Sequence, residues 1–367
     1  MNTHASSATL LGIETSCDET AAAVVRCDWC DQGRPKGTIL SNVVRSQFEE
    51  HAAFGGVVPE IAARAHVDVL DHLILKALNE AQLDFHQLDG VAVTAGPGLI
   101  GGLLTGMMTA KAICLVRDLP FIAINHLEGH ALSVGLTEKL FPPYLLLLIS
   151  GGHTQLLHVK DTGHYSRLGT TVDDALGEAF DKTAKVLGLG YPGGPEVERW
   201  AKTGDSSRFS FPKPMLGRAE PNFSFSGLKT AVRQKAQSLQ PLTDQDISDL
   251  CASFQLAVTQ TVVERVHKAM ALYEKEYNSE VPRTLVVAGG VAANTVLRHG
   301  FEKLCDAEGY YLSIPPAHLC TDNAAMIAWA GALRLQQGQV DTLDYAAKAR
   351  WPLDRNATPA IGAGVKA

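Results

Sequence analysis

The sequence has no surplus of positive charge. Its 32 lysines and arginines stand against 39 aspartates and glutamates, a formal net charge of −7 over 367 residues. Stand-alone nucleic-acid binders usually carry a clear basic excess, so that class is disfavoured; a local basic patch or a basic partner stays open. There is no disulfide framework either. Seven cysteines, an odd number at scattered spacings, suit a reducing compartment. Cys27 and Cys30 make one Cys-x-x-Cys pair, but a structural zinc site needs two more ligands close by, and none stands out. Residues 27–37, polar and rich in turn formers, therefore read as a surface insertion. Residues 1–9 lack the cationic start and apolar core of a secretory signal and the arginine-rich pattern of a transit peptide. The apolar run 144–149 is far too short to span a bilayer. The expectation is a cytoplasmic protein with no membrane contact. Two catalytic motifs are also missing. No Gly-rich Lys-Ser/Thr phosphate loop occurs. His126 is followed by Leu127, so the glutamate of a His-Glu-x-x-His protease is not in its place.

What is present is an ordinary globular composition, 46% hydrophobic and 19% charged, at a length that suits two domains. The chain reads as two halves on one plan. Residues 10–25 run apolar, then polar and turn-like, then apolar, which predicts a strand, a tight turn and a returning strand; residues 144–159 repeat that form. Each half then has a strand ending in glycine, Val91-Ala-Val-Thr-Ala-Gly-Pro-Gly98 and Thr284-Leu-Val-Val-Ala-Gly-Gly290, leading into helical segments 103–116 and 295–308. Further helices are predicted over 60–82 and 248–276. The expected architecture is a duplicated α/β fold, with one lobe over 1–135, a second over 136–367, a loop-rich insertion around 190–245, and a nucleotide and metal cleft between the lobes.

Three glycine-containing turns, Gly96-Pro-Gly98, Ser150-Gly-Gly152 and Gly289-Gly290, recur at matching places. Backbone N–H groups in such turns can approach phosphate oxygens, and a following helix adds its positive end. His126-Leu-Glu-Gly-His130 puts two imidazoles at i and i+4, on one face if helical. Two ligands are too few, and Asp18, Glu19, Asp181 and Asp322 are candidate carboxylates. For Asp322 a helix cap is the competing role. Asp174, Glu178, Asp181 and Lys185 fall at helical spacing, either an ion-paired solvated face or a grip on substrate. Lys182, Lys185, Arg208, Lys213, Arg218, Lys229, Arg233 and Lys235 concentrate positive charge in one stretch.

In order along the chain, the blocks Gly12-Ile-Glu-Thr-Ser-Cys-Asp-Glu-Thr20, His126-Leu-Glu-Gly-His130, Ser150-Gly-Gly-His-Thr-Gln155, Gly177-Glu-Ala-Phe-Asp-Lys-Thr183, Tyr191-Pro-Gly-Gly-Pro195, Phe223-Ser-Phe-Ser-Gly-Leu-Lys229, Gly289-Gly-Val-Ala-Ala-Asn294 and Thr321-Asp-Asn323 resemble the TsaD family of tRNA N6-adenosine threonylcarbamoyltransferases, in its bacterial form. The resemblance implies the actin-like ATPase (ASKHA) superfold. It implies transfer of the threonylcarbamoyl group from threonylcarbamoyl-AMP to N6 of adenosine 37, in tRNAs that read codons beginning with A. It places one divalent metal, iron or alternatively zinc, on His126, His130 and Asp322, the last from the far half of the chain, so that the metal bridges the lobes. It places substrate binding on Leu148, Ile149, Ser150, Gly151, Gly152, Asp181, Gly194 and Asn294. Asp18 or Glu19 is the candidate for removing the N6 proton. The implied partners are tRNA, a degenerate paralogue docking on the N-terminal lobe, and a small P-loop ATPase. Competing expectations are a small-molecule kinase of the same superfold, a metallopeptidase, or a nucleotide-gated scaffold.

Overall fold

A computed structural model describes residues 7–29, 34–54, 56–276 and 282–358. Two compact units emerge, and neither is continuous in sequence. The first takes the chain up to Pro142 and adds Asp161–Gly163 and Thr321–Leu353. The second comprises Pro143–Lys160, His164–Cys320 and the described residues from Asp354 onward. The single cut expected between 135 and 136 is thus replaced by a chain that returns to its first unit at Thr321.

The first unit carries β1 (Ser7–Glu14), β2 (Glu19–Trp29), β3 (Pro35–Ser46), β4 (Gly90–Gly96) and β5 (Phe121–Asn125), in the order β3-β2-β1-β4-β5. The second carries β6 (Tyr144–Ile149), β7 (Thr154–Asp161), β8 (His164–Thr170), β9 (Thr284–Ala288) and β10 (Tyr311–Ser313), in the order β8-β7-β6-β9-β10. The two orders are the same plan. In each sheet an antiparallel hairpin leads and two parallel strands follow on the other side of its first strand. Parallel neighbours need crossovers, and helices supply them. Duplication is therefore visible in topology as well as in residue pattern.

The ladder between β2 and β3 corrects one expectation. Cys27 pairs with Gly37, Asp28 with Lys36 and Trp29 with Pro35. Residues 27–29 and 35–37 of the segment read as a surface insertion are thus paired ends of two antiparallel strands, and Cys30 lies outside the described residues. A second correction concerns residues 174–185. The helix there is Leu176–Leu187, so Asp174 precedes it and does not share its face.

Each unit has its own core. Leu11, Ile13, Val24, Leu70, Ile74, Val91, Val93, Met107 and Phe121 fill the first. Leu145, Leu147, Phe180, Phe223, Phe225, Phe254, Val258 and Phe301 fill the second. Side chains of this size stabilise by about 1.5–3 kcal/mol each when fully buried. Helix Pro59–Glu80 shows why the local structure forms. Proline opens it, and Ala62, His66, Leu70, Ile74, Ala77 and Leu78 make its buried stripe. Among the described residues, one helix, Ile100–Arg117, is long and apolar enough by length and composition to cross a membrane; it packs on β4 and on helix Pro59–Glu80.

Candidate metal centre and ligand-binding residues

Helix His126–Thr137 begins where β5 ends. Asn125 caps it, accepting from the N–H of Leu127 at 2.9 Å, and its own amide donates to the carbonyl of Trp351 at 2.9 Å. The cap starts the helix at His126, so His126 and His130 do lie one turn apart on one face. Their rings meet edge to face with centroids 4.8 Å apart.

The third group comes from Thr321-Asp-Asn323. Asn323, not Asp322, caps helix Ala324–Gln336, accepting from the N–H of Met326 at 3.0 Å. That frees Asp322 from the capping role and turns its carboxylate to the histidines. Asp322 Oδ1 lies 3.0 Å from His130 Nε2 and 3.4 Å from His126 Nε2. One donor atom from each of the three residues lies within 4.8 Å of the others. Two imidazoles and a carboxylate suit a borderline divalent ion. The surroundings bear on the ring as well: His130 Nε2 faces Asp322, while its Nδ1 is buried with no hydrogen-bond partner among the described residues, so one ring nitrogen is left unsatisfied by the protein. All three residues belong to the first unit, which corrects the expectation that the metal bridges two lobes.

Glu14 was missing from the sequence-derived site. Its Oε2 lies 2.9 Å from His126 Nδ1, and Thr94 Oγ1 donates to the same oxygen at 2.5 Å. Its Oε1 accepts from the N–H of Ser16 at 2.6 Å, and Ser16 Oγ lies 3.2 Å from His126 Nδ1. A carboxylate on the far nitrogen of a metal-binding histidine fixes the ring and its tautomer. The signal in the sequence is an acid closing the apolar run Leu10-Leu-Gly-Ile, because a buried charge requires a partner.

Charge coupling follows from this packing. Burial by itself lowers the His126 pKa, but Asp322 and Glu14 outweigh it and hold the imidazole well above its ordinary value. Burial works to raise Asp322, yet His126 and His130 hold it well below the usual carboxylate range. Glu19 is pushed well above that range by burial, then by Asp322 and Asp18. Asp18 is buried in the same turn.

Two buried ties hold the ligand-bearing helices together. Arg334 donates to Glu128 Oε2 through Nη2 at 2.6 Å and Nε at 3.1 Å. Trp329 Nε1 donates to the carbonyl of Leu132 at 3.0 Å. At Gly129 a Cβ would come within 2.9 Å of Ile327, so the smallest residue lets these helices approach.

The glycine turns separate into two kinds. A Cβ on Gly98 would lie 2.6 Å from the carbonyl of Ser16, so that turn packs on the 14–17 backbone and its glycine is explained by contact within the unit. At Gly151, Gly152 and Gly194 an added Cβ meets nothing within 4 Å, and Gly151 and Gly152 are exposed. These are in the second unit, where a turn is closed by Ser150 N–H donating to the carbonyl of His153 at 2.8 Å.

The other second-unit candidates are more committed. Leu148 and Ile149 are fully buried, and β6 pairs them on its ladders. Asp181 accepts from the N–H of Gly193 at 2.8 Å. Asn294 caps helix Thr295–Glu308 through its oxygen and donates to Gln255 at 3.0 Å. Of the basic stretch, Lys182 pairs with Asp174 at 2.6 Å and Glu178 at 2.9 Å, and Arg208 pairs with Asp246 and Asp249.

A family model described as tRNA N6-adenosine threonylcarbamoyltransferase matches residues 38–329. The chain is 59% identical over 355 residues to proteins of that name from Brucella suis and Brucella abortus, covering 97% of this chain and 98% of each relative. Among solved structures it resembles HypF of T. kodakarensis, with a TM-score of 0.57, 14% identity and 90% of this chain covered. The chain spans 48% of that protein's length, and the likeness shows the fold alone. The two sheets of matching strand order agree with the duplicated α/β fold the sequence predicted.

Proposed function

The chain belongs to the family of tRNA N6-adenosine threonylcarbamoyltransferases, and on that premise we propose that it moves the threonylcarbamoyl group from threonylcarbamoyl-AMP to N6 of adenosine 37 in tRNAs reading codons that begin with A. It is an acyltransferase of tRNA modification. The observation that carries the reading is the His126–His130–Asp322 triad in a chain this close to its named relatives.

When bound by those three residues, a divalent ion, iron in our reading, supplies Lewis-acid polarisation of the threonylcarbamoyl group. Glu14 keeps the His126 ring turned so that Nε2 faces Asp322. The exposed amides at Gly151 and Gly152, with Ser150, Asp181, Gly194, Asn294 and the backbone of Leu148 and Ile149, bind the adenylate. The adenine N6 attacks the carbamoyl carbon and a C–N bond forms. The bond from that carbon to the phosphate oxygen breaks, and AMP leaves with the electron pair. Asp18 or Glu19 takes the proton from N6. Burial, then Asp322 and Asp18, push the Glu19 carboxyl above the ordinary carboxylate range, which makes its ionised form a stronger base than an exposed carboxylate.

The acceptor base must be unstacked, as anticodon-loop bases readily are. Lys213, Arg218, Lys229 and Arg233 supply phosphate contacts in this reading, whereas Lys182 and Arg208 are spent on carboxylates. A degenerate paralogue docks on the first unit, with a small P-loop ATPase as third component. Support for that docking face comes from Ile100, Leu104, Met108 and Leu115, an exposed apolar stripe on helix Ile100–Arg117. The setting is cytoplasmic.

The test is reconstitution. Purified chain with its partner proteins, tRNA and threonylcarbamoyl-AMP should yield N6-threonylcarbamoyladenosine at position 37. Release of AMP with no modified base would overturn the reading.

A further inference from the structure

Four polar side chains of the first unit, Thr20, Gln47, His51 and His66, are buried together against the turn that carries Asp18 and Glu19. His66 interrupts the apolar stripe of helix Pro59–Glu80. Buried polar groups are costly unless every one is satisfied, so the direction of each hydrogen bond matters.

Backbone groups at both ends dictate that direction. The N–H of Val58 meets His51 Nδ1 at 3.3 Å. A backbone N–H only donates, so Nδ1 accepts and the His51 proton sits on Nε2. That Nε2–H donates to Gln47 Oε1 at 3.2 Å. The Gln47 amide nitrogen faces Thr20 Oγ1 and His66 Nδ1, each at 3.3 Å, and the carbonyl of Ala62 at 3.5 Å. A carbonyl oxygen of Gln47 could not sit against the Ala62 carbonyl, so the amide cannot be flipped. At the far end, His66 Nε2 lies 3.0 Å from the carbonyl of Cys17. A carbonyl only accepts, so His66 also carries its proton on Nε2. Its Nδ1 then accepts from the Thr20 hydroxyl at 2.8 Å. Burial pulls the His66 imidazole below its ordinary pKa, in keeping with a neutral ring.

The result is a one-way chain from Val58 N–H through His51 and Gln47 to His66, by way of the Thr20 hydroxyl with a direct Gln47–His66 contact beside it, and on to the carbonyl of Cys17. The Gln47 backbone N–H adds a bond to the carbonyl of Asp18 at 3.0 Å. The turn at residues 17–20 is thus gripped at Cys17, Asp18 and Thr20, on both sides of Glu19.

We propose that Gln47 and His66 are positioning residues for the transfer reaction, their one-way hydrogen-bond chain fixing the 17–20 turn and so the aim of Asp18 and Glu19. The inference rests on the reading of Asp18 and Glu19 as the proton-handling pair. Neither residue touches substrate; they act through the turn.

Two near-isosteric substitutions test it. In Gln47→Glu an ionised carboxylate cannot donate to Thr20, and in Thr20→Val the hydroxyl is gone. Each should lower kcat by about 10–100-fold, the scale of a misplacement near 1 Å. The KM for tRNA and the metal bound per chain should stay at wild-type values. Thr20→Ser, which keeps the hydroxyl, should restore the rate, and the Gln47→Glu/Thr20→Val pair should be no slower than the slower single variant. Nitrogen-15 NMR of the histidine-labelled full chain at pH 7 should show His51 and His66 as Nε2–H tautomers. An Nδ1–H tautomer at either histidine overturns the chain itself. Asp18→Asn and Glu19→Gln separate the two levels. If both transfer at the wild-type rate, the proton-handling reading falls and takes the inference with it. If either is slow while Gln47→Glu and Thr20→Val are fast, the inference alone falls.

Discussion

Glu128, wholly buried between the two ligand histidines in sequence, meets the guanidinium of Arg334 at 2.6 Å. The pair joins helix His126–Thr137 to helix Ala324–Gln336, and Asp322 sits just ahead of the second. Removing one partner leaves the other charge uncompensated, which costs about 3–5 kcal/mol for a buried pair. Glu128→Ala should therefore lower stability by that order in chemical denaturation and weaken metal binding with it. Metal affinity at the wild-type level in the folded variant would show that the pair does not set the ligand geometry.

Thr321-Asp-Asn323 assigns neighbouring residues to different tasks, and substitution can separate them. Asn323→Ala removes the cap on Met326 N–H and should cost about 1 kcal/mol of stability while leaving the three donors in place. Asp322→Ala should keep the cap and lose the metal. Denaturation midpoints and metal content on the same two preparations distinguish these effects.

Glu14 orients His126 without contributing a ligand atom to the triad. Glu14→Gln should weaken metal affinity by about 10–100-fold, the usual cost of losing such a partner. A competitive chelator titration measures it directly.

In the second unit, Asp173 is a loop organiser. Ser224 and Ser226 hydroxyls donate to it at 2.5 and 2.7 Å, and Phe225 N–H at 2.7 Å. Burial works to raise its pKa, but these bonds hold it below the ordinary carboxylate value. A depressed folded pKa gives stability that is fully present above the unfolded value, about 3.9, and is lost as pH falls through the folded value. Asp173→Asn should thus melt below wild type at pH 7, and the gap should close as pH falls below about 4. A gap that persists unchanged into that range would mean the ionised carboxylate is not what holds the loop.

Local pattern made much of this legible. The turns between β1 and β2 and between β6 and β7 show as polar breaks in apolar runs, and helix Thr295–Glu308 matches its predicted span. The i, i+4 spacing of His126 and His130 needed only a helix to become a face. What stayed hidden depends on distance along the chain. Glu14 is 112 residues from His126, and nothing in its neighbours announces the contact. Asn323 and Asp322 are equally good caps by type, and only the packed backbone decides between them. At Gly98 the composition that suits a phosphate loop gave no sign of the close contact with Ser16 that also requires a glycine there. Strand β3 was missed because its faces mix buried and exposed residues with no clean alternation.

Metal content and tRNA modification measured together on His126→Ala bear most directly on the central claim. The triad account predicts that the folded variant holds no metal and makes no N6-threonylcarbamoyladenosine, while the wild-type chain holds one ion and does. Full modification by a metal-free His126→Ala protein would contradict it.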